Sequence, residues 1–170
     1  MNKGLRSVMQ MVEMRRKDRE ITELDRKLGV VEKCRVCRIG MKDEYGLYIV
    51  PMNFGYEYKD EKLVLYFHCA KQGRKIDALK FDPEVCIEMD CDHEVYAENE
   101  DIACTYAYRF LSIIGNGKAE FIEDDSEKEH ALNMLMLHQV GRTFPFDPRM
   151  FQAVNVFRVV VDHFTGKEHE

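Results

Sequence analysis

From Val36 onward the chain changes its hydrophobic period to two, and that change decides the fold class. In GLYIVPMNFGYEY, residues 46–58, one face takes Tyr48, Val50, Met52, Phe54, Tyr56 and Tyr58. The other takes Ile49, Pro51, Asn53 and Gly55. A backbone turns successive side chains to opposite sides when it is a β-strand. The first set is a core face. The second holds a proline, which has no N–H to give to a ladder, so an edge or a bulge is expected there. YKDEK (58–62) reads as a turn. LVLYFHCA (63–70) is the next strand, with Leu63, Leu65, Phe67 and Cys69 opposing Val64, Tyr66, His68 and Ala70.

Gly73 breaks that strand, and 74–80 reads as a short helix. FDPEVCIEMDC (81–91) gives a turn at Asp82-Pro83 and a strand from about residue 84 to 91, and DHEVYAENEDIA (92–103) reads as a polar loop. YRFLSIIGNGKAEFIE (108–123) is strand again. Its Asn116-Gly117 pair fits a two-residue hairpin turn, and Gly115 and Gly117 equally fit a bulge in one long strand. Asp125 or Ser126 caps a helix to about Val140, 144–148 is a loop, and VNVFRVVVDHFTG (154–166) closes the chain as a strand. Upstream, Leu5, Val8, Met9, Met11 and Val12 have helical spacing over residues 4–16. Thr22 reads as the cap of a second helix with Leu24, Leu28 and Val31 on one face. The expectation is one domain over 1–170 with a helical arm over 1–33. Its class is mainly β with helices (α+β), one antiparallel sheet or barrel.

A hydrophobic fraction of 45% and a charged fraction of 33% suit a soluble chain with a real core. There is no apolar run long enough to cross a membrane and no secretory leader pattern. Cys34, Cys37, Cys69, Cys86, Cys91 and Cys104 in a chain this long read as reduced thiols, which places the protein in the cytoplasm. The net charge of −6 speaks against nucleic acid. The charge is uneven: residues 1–42 hold 12 Lys/Arg against 6 Asp/Glu, and the remainder holds 13 against 25. A basic arm of that kind can dock on its own body or on a second subunit, or it can simply be solvated.

The stretch LYFHCAKQGRKIDAL, residues 65–79, carries the most chemistry. A helix N-terminus offers unpaired N–H groups and partial positive charge, Gly73 permits close backbone approach, Arg74 can grip phosphate oxygens in pairs, and Lys75 adds a point charge. A solvated turn has the same composition, and no Walker spacing is present. His68, Asn53 and Ser112 are polar residues on mostly apolar strands. Each fits a satisfied core residue, and a bound heterocycle is another partner that would satisfy it. Cys34-Arg-Val-Cys37 has C-x-x-C spacing, but Cys86 and Cys91 are a poor second pair for zinc. His130 and His138 sit about 12 Å apart along one helix, too far to share a metal, so no metal site is expected.

Six segments occur in an order that resembles a known family: MRRKDREIT (14–22), YIVPMNFGYEY (48–58), LYFHCAKQGRKIDAL (65–79), VCIEMD (85–90), LSIIGNGKAEFI (111–122) and a closing TGK (165–167). Together they resemble the nitroimidazole-resistance branch of the pyridoxamine 5′-phosphate oxidase-like flavin-binding split barrels. The resemblance runs from Met14 to Lys167 and leaves out only the first dozen residues and the acidic 92–102 loop.

It implies a six-stranded antiparallel split β-barrel of the FMN-binding type, paired as a homodimer with FMN or FAD in a groove between subunits. It implies that Pro51, Met52, Asn53 and Phe54 run along the flavin ring and that Phe67, His68, Cys69 and Ala70 line its edge. Gly73, Arg74 and Lys75 take the phosphate, and Ser112 and Ile113 flank the cofactor from a later strand. It also implies one long bulged strand at 115–117 rather than a hairpin. Relatives often carry a small hydroxyl residue where this chain has Cys69, and a thiol there donates a weaker hydrogen bond.

The function implied is that of a flavin-dependent oxidoreductase acting on nitroimidazole-like or other small aromatic acceptors, hence antibiotic resistance, with His68 as the catalytic candidate. A non-catalytic flavin- or haem-binding module is the alternative, with His68 as a possible axial ligand. Pyridoxamine phosphate oxidation ranks last, because its substrate phosphate needs a second basic cluster and only Arg142 offers itself.

Overall fold

The structure, a computed structural model, describes residues 13–151 and 153–169. Most of the predicted first helix falls outside that span. Residues 13–16 are irregular, a single 3-10 turn spans Lys17–Arg19, and β1 (Glu20–Ile21) follows. Helix α1 covers Leu24–Lys33 with Glu23, not Thr22, at its cap. Pairing of Glu20 and Ile21 with Lys167 and Gly166 holds the chain extended up to this point and delays the helix. Its buried residues are Val30 and Val31, Leu28 is partly covered, and Leu24 is exposed.

The strands are β2 (Val36–Asp43), β3 (Gly46–Asn53), β4 (Gly55–Lys59), β5 (Lys62–Cys69), β6 (Glu84–Ala97), β7 (Tyr106–Phe121) and β8 (Asn155–His169). All pairings are antiparallel, in the order β3-β2-β6-β7-β8-β5-β4, with β1 added to β8. The two ends of that ladder, β3 and β4, are not paired to each other. They are consecutive in sequence, joined through Phe54. Residues 46–59 therefore act as one bent strand that pairs with β2 through its first half and with β5 through its second. Counted this way, the sheet is the expected barrel of six long strands, split where β3 and β4 part.

The bend has a local cause. The Phe54 carbonyl accepts from Gln139 Nε2 at 2.9 Å and lies 2.8 Å from His138 Nδ1, so helix α3 (Asp125–Val140) takes the place of a ladder partner. Gly55 lets that helix in. A Cβ there would lie 2.2 Å from the Leu135 amide nitrogen, so any side chain would collide with the helix backbone. Pro51 sits on β3 at the end of the ladder, where a missing N–H costs no pairing.

The barrel interior is the face that period two marked out. Met52, Phe54, Leu63, Leu65 and Phe67 pack with Ile39, Ile87, Met89, Ile113, Phe157 and Val159. Each fully buried aromatic contributes about 1.5–3 kcal/mol relative to exposure. A smaller cluster lies outside the barrel, where Tyr66 and Val156 meet Ala131, Leu132 and Phe151. Its helices are α3 and the short α4 (Pro148–Phe151). Asp124 caps α3, one residue before the predicted cap, accepting from the amides of Ser126 and Glu127.

One sequence reading is corrected, and the choice left open at 115–117 is decided for the long strand that the resemblance implies. The 92–97 segment is strand, not loop: β6 continues to Ala97, pairs with Tyr106–Arg109, and passes a bulge between Cys91 and Glu94, where Asp92 has φ 56°. The chain at 115–117 is one continuous strand rather than a hairpin. The extra residue lies across from it, since Asn116 faces His163 and Gly117 faces Val161, which leaves Asp162 of β8 unpaired.

Candidate functional site

Strand β5 runs from the barrel into helix α2 (Arg74–Phe81), and the junction is the segment singled out from sequence. Gly73 caps α2 with φ 126°, a conformation that favours glycine, and no side chain satisfies the first turn. Ile76, Ala78 and Leu79 bury the other face of the helix in the core, which fixes where its N-terminus points.

Arg74 does not dangle from this turn. Its Nε donates to Asp43 Oδ2 at 2.7 Å and its Nη2 to Oδ1 at 3.3 Å, and its guanidinium lies over the Tyr48 ring at 4.5 Å. Asp43 is 6% exposed and also accepts from the Tyr45 amide in the β2–β3 turn. The hydrogen bond from Arg74 outweighs partial burial and holds the Asp43 carboxyl below the ordinary carboxylate range.

The Lys75 cation acts electrostatically on the end of the strand. Burial lowers the His68 pKa, and the Lys75 cation lowers it further, so His68 is a neutral imidazole at pH 7. The same cation opposes the rise that burial imposes on the Cys69 thiol. His68 is exposed along one side. Its other side walls an apolar hollow of about 250 Å³ formed with Leu132, Leu135, Met136, Phe146 and Met150.

The remaining predicted residues separate by face. Met52, Phe54, Phe67, Cys69 and Ile113 point into the barrel and are buried. Pro51, Asn53 and Ala70 are exposed. Asn53 Nδ2 donates to the Arg35 carbonyl at 3.3 Å, beside a hollow of about 630 Å³ lined by Glu32, Tyr56, His138 and Gln139. Ser112 is half-buried and donates from Oγ to the Lys167 carbonyl at 3.5 Å. Arg142 lies over the Phe144 ring at 4.7 Å, beyond the end of α3. The structure thus brings His68, Cys69, Arg74 and Lys75 together, and sets Asn53 and Ser112 apart from them on other strands.

Asp43 and Tyr48 were missed as site residues. The first was not singled out and the second read as core, and nothing in one sequence links either to Arg74. Beside Tyr48 runs a groove of about 690 Å³ lined by Met41, Leu47, Tyr48, Ile49, Val85 and Asn116. Leu47 is 87% exposed, Ile49 68% and Tyr45 79%, a concentration of bare apolar surface on one edge. Among the described residues, no group of three or more His, Cys, Asp or Glu is placed to hold a metal, and no helix is long and apolar enough to cross a membrane.

The chain resembles several solved structures. A candidate 5-nitroimidazole antibiotic resistance protein from Bacteroides thetaiotaomicron is 36% identical over 88% of this chain and 86% of its own, with a TM-score of 0.76. The flavocytochrome Anf3 from Azotobacter vinelandii is 18% identical over 93% of this chain and 72% of its own, TM-score 0.74. A FAD- and heme-binding protein from Mycobacterium smegmatis is 16% identical over 89% and 74%, TM-score 0.74. The last two share the fold. No curated protein matches. The family model for pyridoxamine 5′-phosphate oxidase matches residues 23–168, nearly the whole chain. On its fold, on that match and on the 36% identity, the chain belongs to the pyridoxamine 5′-phosphate oxidase-like family of split barrels.

Proposed function

We propose that this protein is a flavin-binding oxidoreductase that reduces nitroimidazole-like or other small aromatic acceptors, and that it works as a homodimer. The observation that carries the reading is the pairing of Arg74 with Asp43 at an α2 N-terminus that no side chain caps. A flavin phosphate carries nearly two negative charges. The turn meets them with free helix N–H groups, the point charge of Lys75 and the guanidinium N–H groups that Asp43 does not use. Nothing would stand within 4 Å of a Cβ on Gly73, so the backbone is open to close approach there.

The flavin ring fits less simply. Met52, Phe54, Phe67 and Ile113 face inward, so any contact from those positions is made by main chain, and the outward side chains are Pro51 and Asn53. β3 ends the ladder and presents an unpaired edge of N–H and C=O groups, which suits the polar rim of a flavin. Ser112 and Ile113 lie on β7, separated from β3 by β2 and β6. In this reading a second copy completes the site, covering Tyr45, Leu47 and Ile49 and enclosing the groove beside Tyr48.

A bound flavin, FMN or FAD, supplies the electron chemistry. The chain's own part is to bind it, exclude water and position the acceptor. Neutral His68 can donate one hydrogen bond and accept another, which suits it to orient an acceptor at the mouth of the apolar hollow and to pass it a proton. The haem alternative would take His68 as its axial ligand, and the chromophore distinguishes the two. Pyridoxamine phosphate oxidation would need a second basic cluster, and Arg142 packs on Phe144 instead.

The test is the chromophore of the purified protein. The expected result is flavin absorbance near about 450 nm and release of FMN or FAD on denaturation. A Soret band, or a colourless protein that takes up neither flavin, contradicts the reading.

A further inference from the structure

Beyond the barrel, Glu94–Ala97 of β6 and Tyr106–Arg109 of β7 continue as a two-stranded ribbon. Strand β8 reaches no further than His169 opposite Phe110, so among the described residues the outer edge of β7 has no strand partner along the ribbon. The register sets Val95 beside Tyr108 and Ala97 beside Tyr106 on one face, and Val95, Tyr106 and Tyr108 are exposed there. A lone two-stranded ribbon is marginally stable in water, and a bare aromatic face marks a contact surface. This face lies at the far end of β6 from the groove beside Tyr48, which meets β6 at Glu84, Val85 and Cys86. About ten residues of strand, about 30 Å, separate them, so the second copy proposed to cover Leu47 and Ile49 meets the other end of the sheet.

Charge and chain path point to a different occupant. Residues 92–105 hold five Asp or Glu and no Lys or Arg. Asp92 pairs with Lys33 and Glu94 with Arg109. Glu98, Glu100 and Asp101 at the tip are exposed and have no ion-pair partner among the described residues. Residues 1–12, which lie outside the described residues, have the opposite character: Lys3 and Arg6, no Asp or Glu, and the apolar Leu5, Val8, Met9, Met11 and Val12. The chain path leads from them to the ribbon. Glu20 pairs with Lys167 antiparallel to β8, so the chain before Glu20 heads past His169 in the direction of the ribbon. Arg19 Nη2 lies 2.8 Å from His169 Nε2, and His169 Nδ1 lies 2.8 Å from the Tyr108 carbonyl oxygen. Twelve residues span about 18 Å even when helical, and four ribbon pairs are about 13 Å long.

We propose that residues 1–12 dock on the ribbon of their own chain. Their apolar side chains cover Val95, Tyr106 and Tyr108, and Lys3 and Arg6 meet Glu98, Glu100 and Asp101. The contact is independent of flavin and of the proposed reductase activity.

The test is zero-length cross-linking of the full chain. A carbodiimide joins an amine to a carboxylate with loss of water, so only groups already in contact react. The expected product is an amide between Lys3 and Glu98, Glu100 or Asp101, recovered from the single-chain band of a denaturing gel. The same product confined to the two-chain band assigns the cover to a second copy and overturns the proposal. Lys3 joined only to carboxylates elsewhere, or to none, overturns it as well. Hydrogen exchange reads the same contact independently. In a chain lacking residues 1–12, amides of 94–97 and 106–109 are expected to exchange at least about tenfold faster than in the full chain, while those of 113–121 in the barrel keep their rates. Equal exchange at the ribbon in the two chains overturns the proposal. The cross-link decides the matter if the shortened chain does not fold.

Discussion

Arg74 donates to both carboxylate oxygens of Asp43, from Nε at 2.7 Å and from Nη2 at 3.3 Å, across 31 residues of chain. This pair fastens the start of α2 to the β2–β3 turn and lays the guanidinium on Tyr48. Two donors are held by the carboxylate. The others point elsewhere from a fixed position, which is what a phosphate site needs from an arginine.

Asp43→Ala should therefore loosen both fold and cofactor. The Asp43 carboxyl titrates lower when folded than when unfolded, mainly through its hydrogen bond from Arg74. Its contribution is complete above the unfolded carboxylate range, about pH 4, and is lost as pH falls through its lower folded value. Urea midpoints at pH 7 and pH 3 measure it. The difference between the two should shrink in the variant, and flavin should bind more weakly at pH 7.

His68 and Lys75 make a second pair with a readable consequence. Burial first, and then Lys75, lower the His68 pKa. An NMR titration should place His68 below about 6.5, the value of a free imidazole. Lys75→Ala should raise the midpoint without returning it fully, because burial remains. Turnover that depends on neutral His68 should fall as pH drops through the same midpoint. His68→Ala should keep flavin and lose turnover, and equal turnover would return His68 to a structural role.

Much of this site was legible in the residue pattern, and what was not has physical reasons. Period two gave the inward set of β3 and β5, and Gly73 gave the strand-to-helix break. Asp43 was illegible because its partner lies 31 residues away and a turn is where an aspartate is ordinarily solvated. The β6 extension was hidden for a different reason. Residues 94–97 and 106–109 pair as a ribbon outside the barrel, with Val95, Tyr106 and Tyr108 largely exposed, so no buried face imposes an apolar alternation. Cap positions slipped by one residue at Glu23 and Asp124, where either neighbour has a suitable side chain. The split at Phe54 depends on α3, which arrives from 80 residues further along.

That split makes Gly55 a sensitive position. Its missing Cβ is the space through which α3 reaches the bend. Gly55→Ala forces the helix backbone outward and should cost about 3 kcal/mol by denaturant titration. A neutral result would mean that α3 does not seat against β4 in solution.

The bare edge offers a test of assembly. Leu47 is almost fully exposed, so Leu47→Asp should leave the single chain folded. Sedimentation at micromolar concentration should show a dimer for the wild-type protein and a monomer for the variant. Flavin affinity should fall with the dimer, as the proposed two-copy site requires.

The most direct test is a flavin titration of the apoprotein, comparing the wild-type chain with Arg74→Ala/Lys75→Ala and comparing FMN with riboflavin, which lacks the phosphate. The double variant should bind FMN at least about tenfold more weakly and should bind riboflavin as the wild type does, because only the charge-assisted phosphate contacts are gone. Equal FMN affinity in the two proteins would contradict the cradle at Gly73–Lys75.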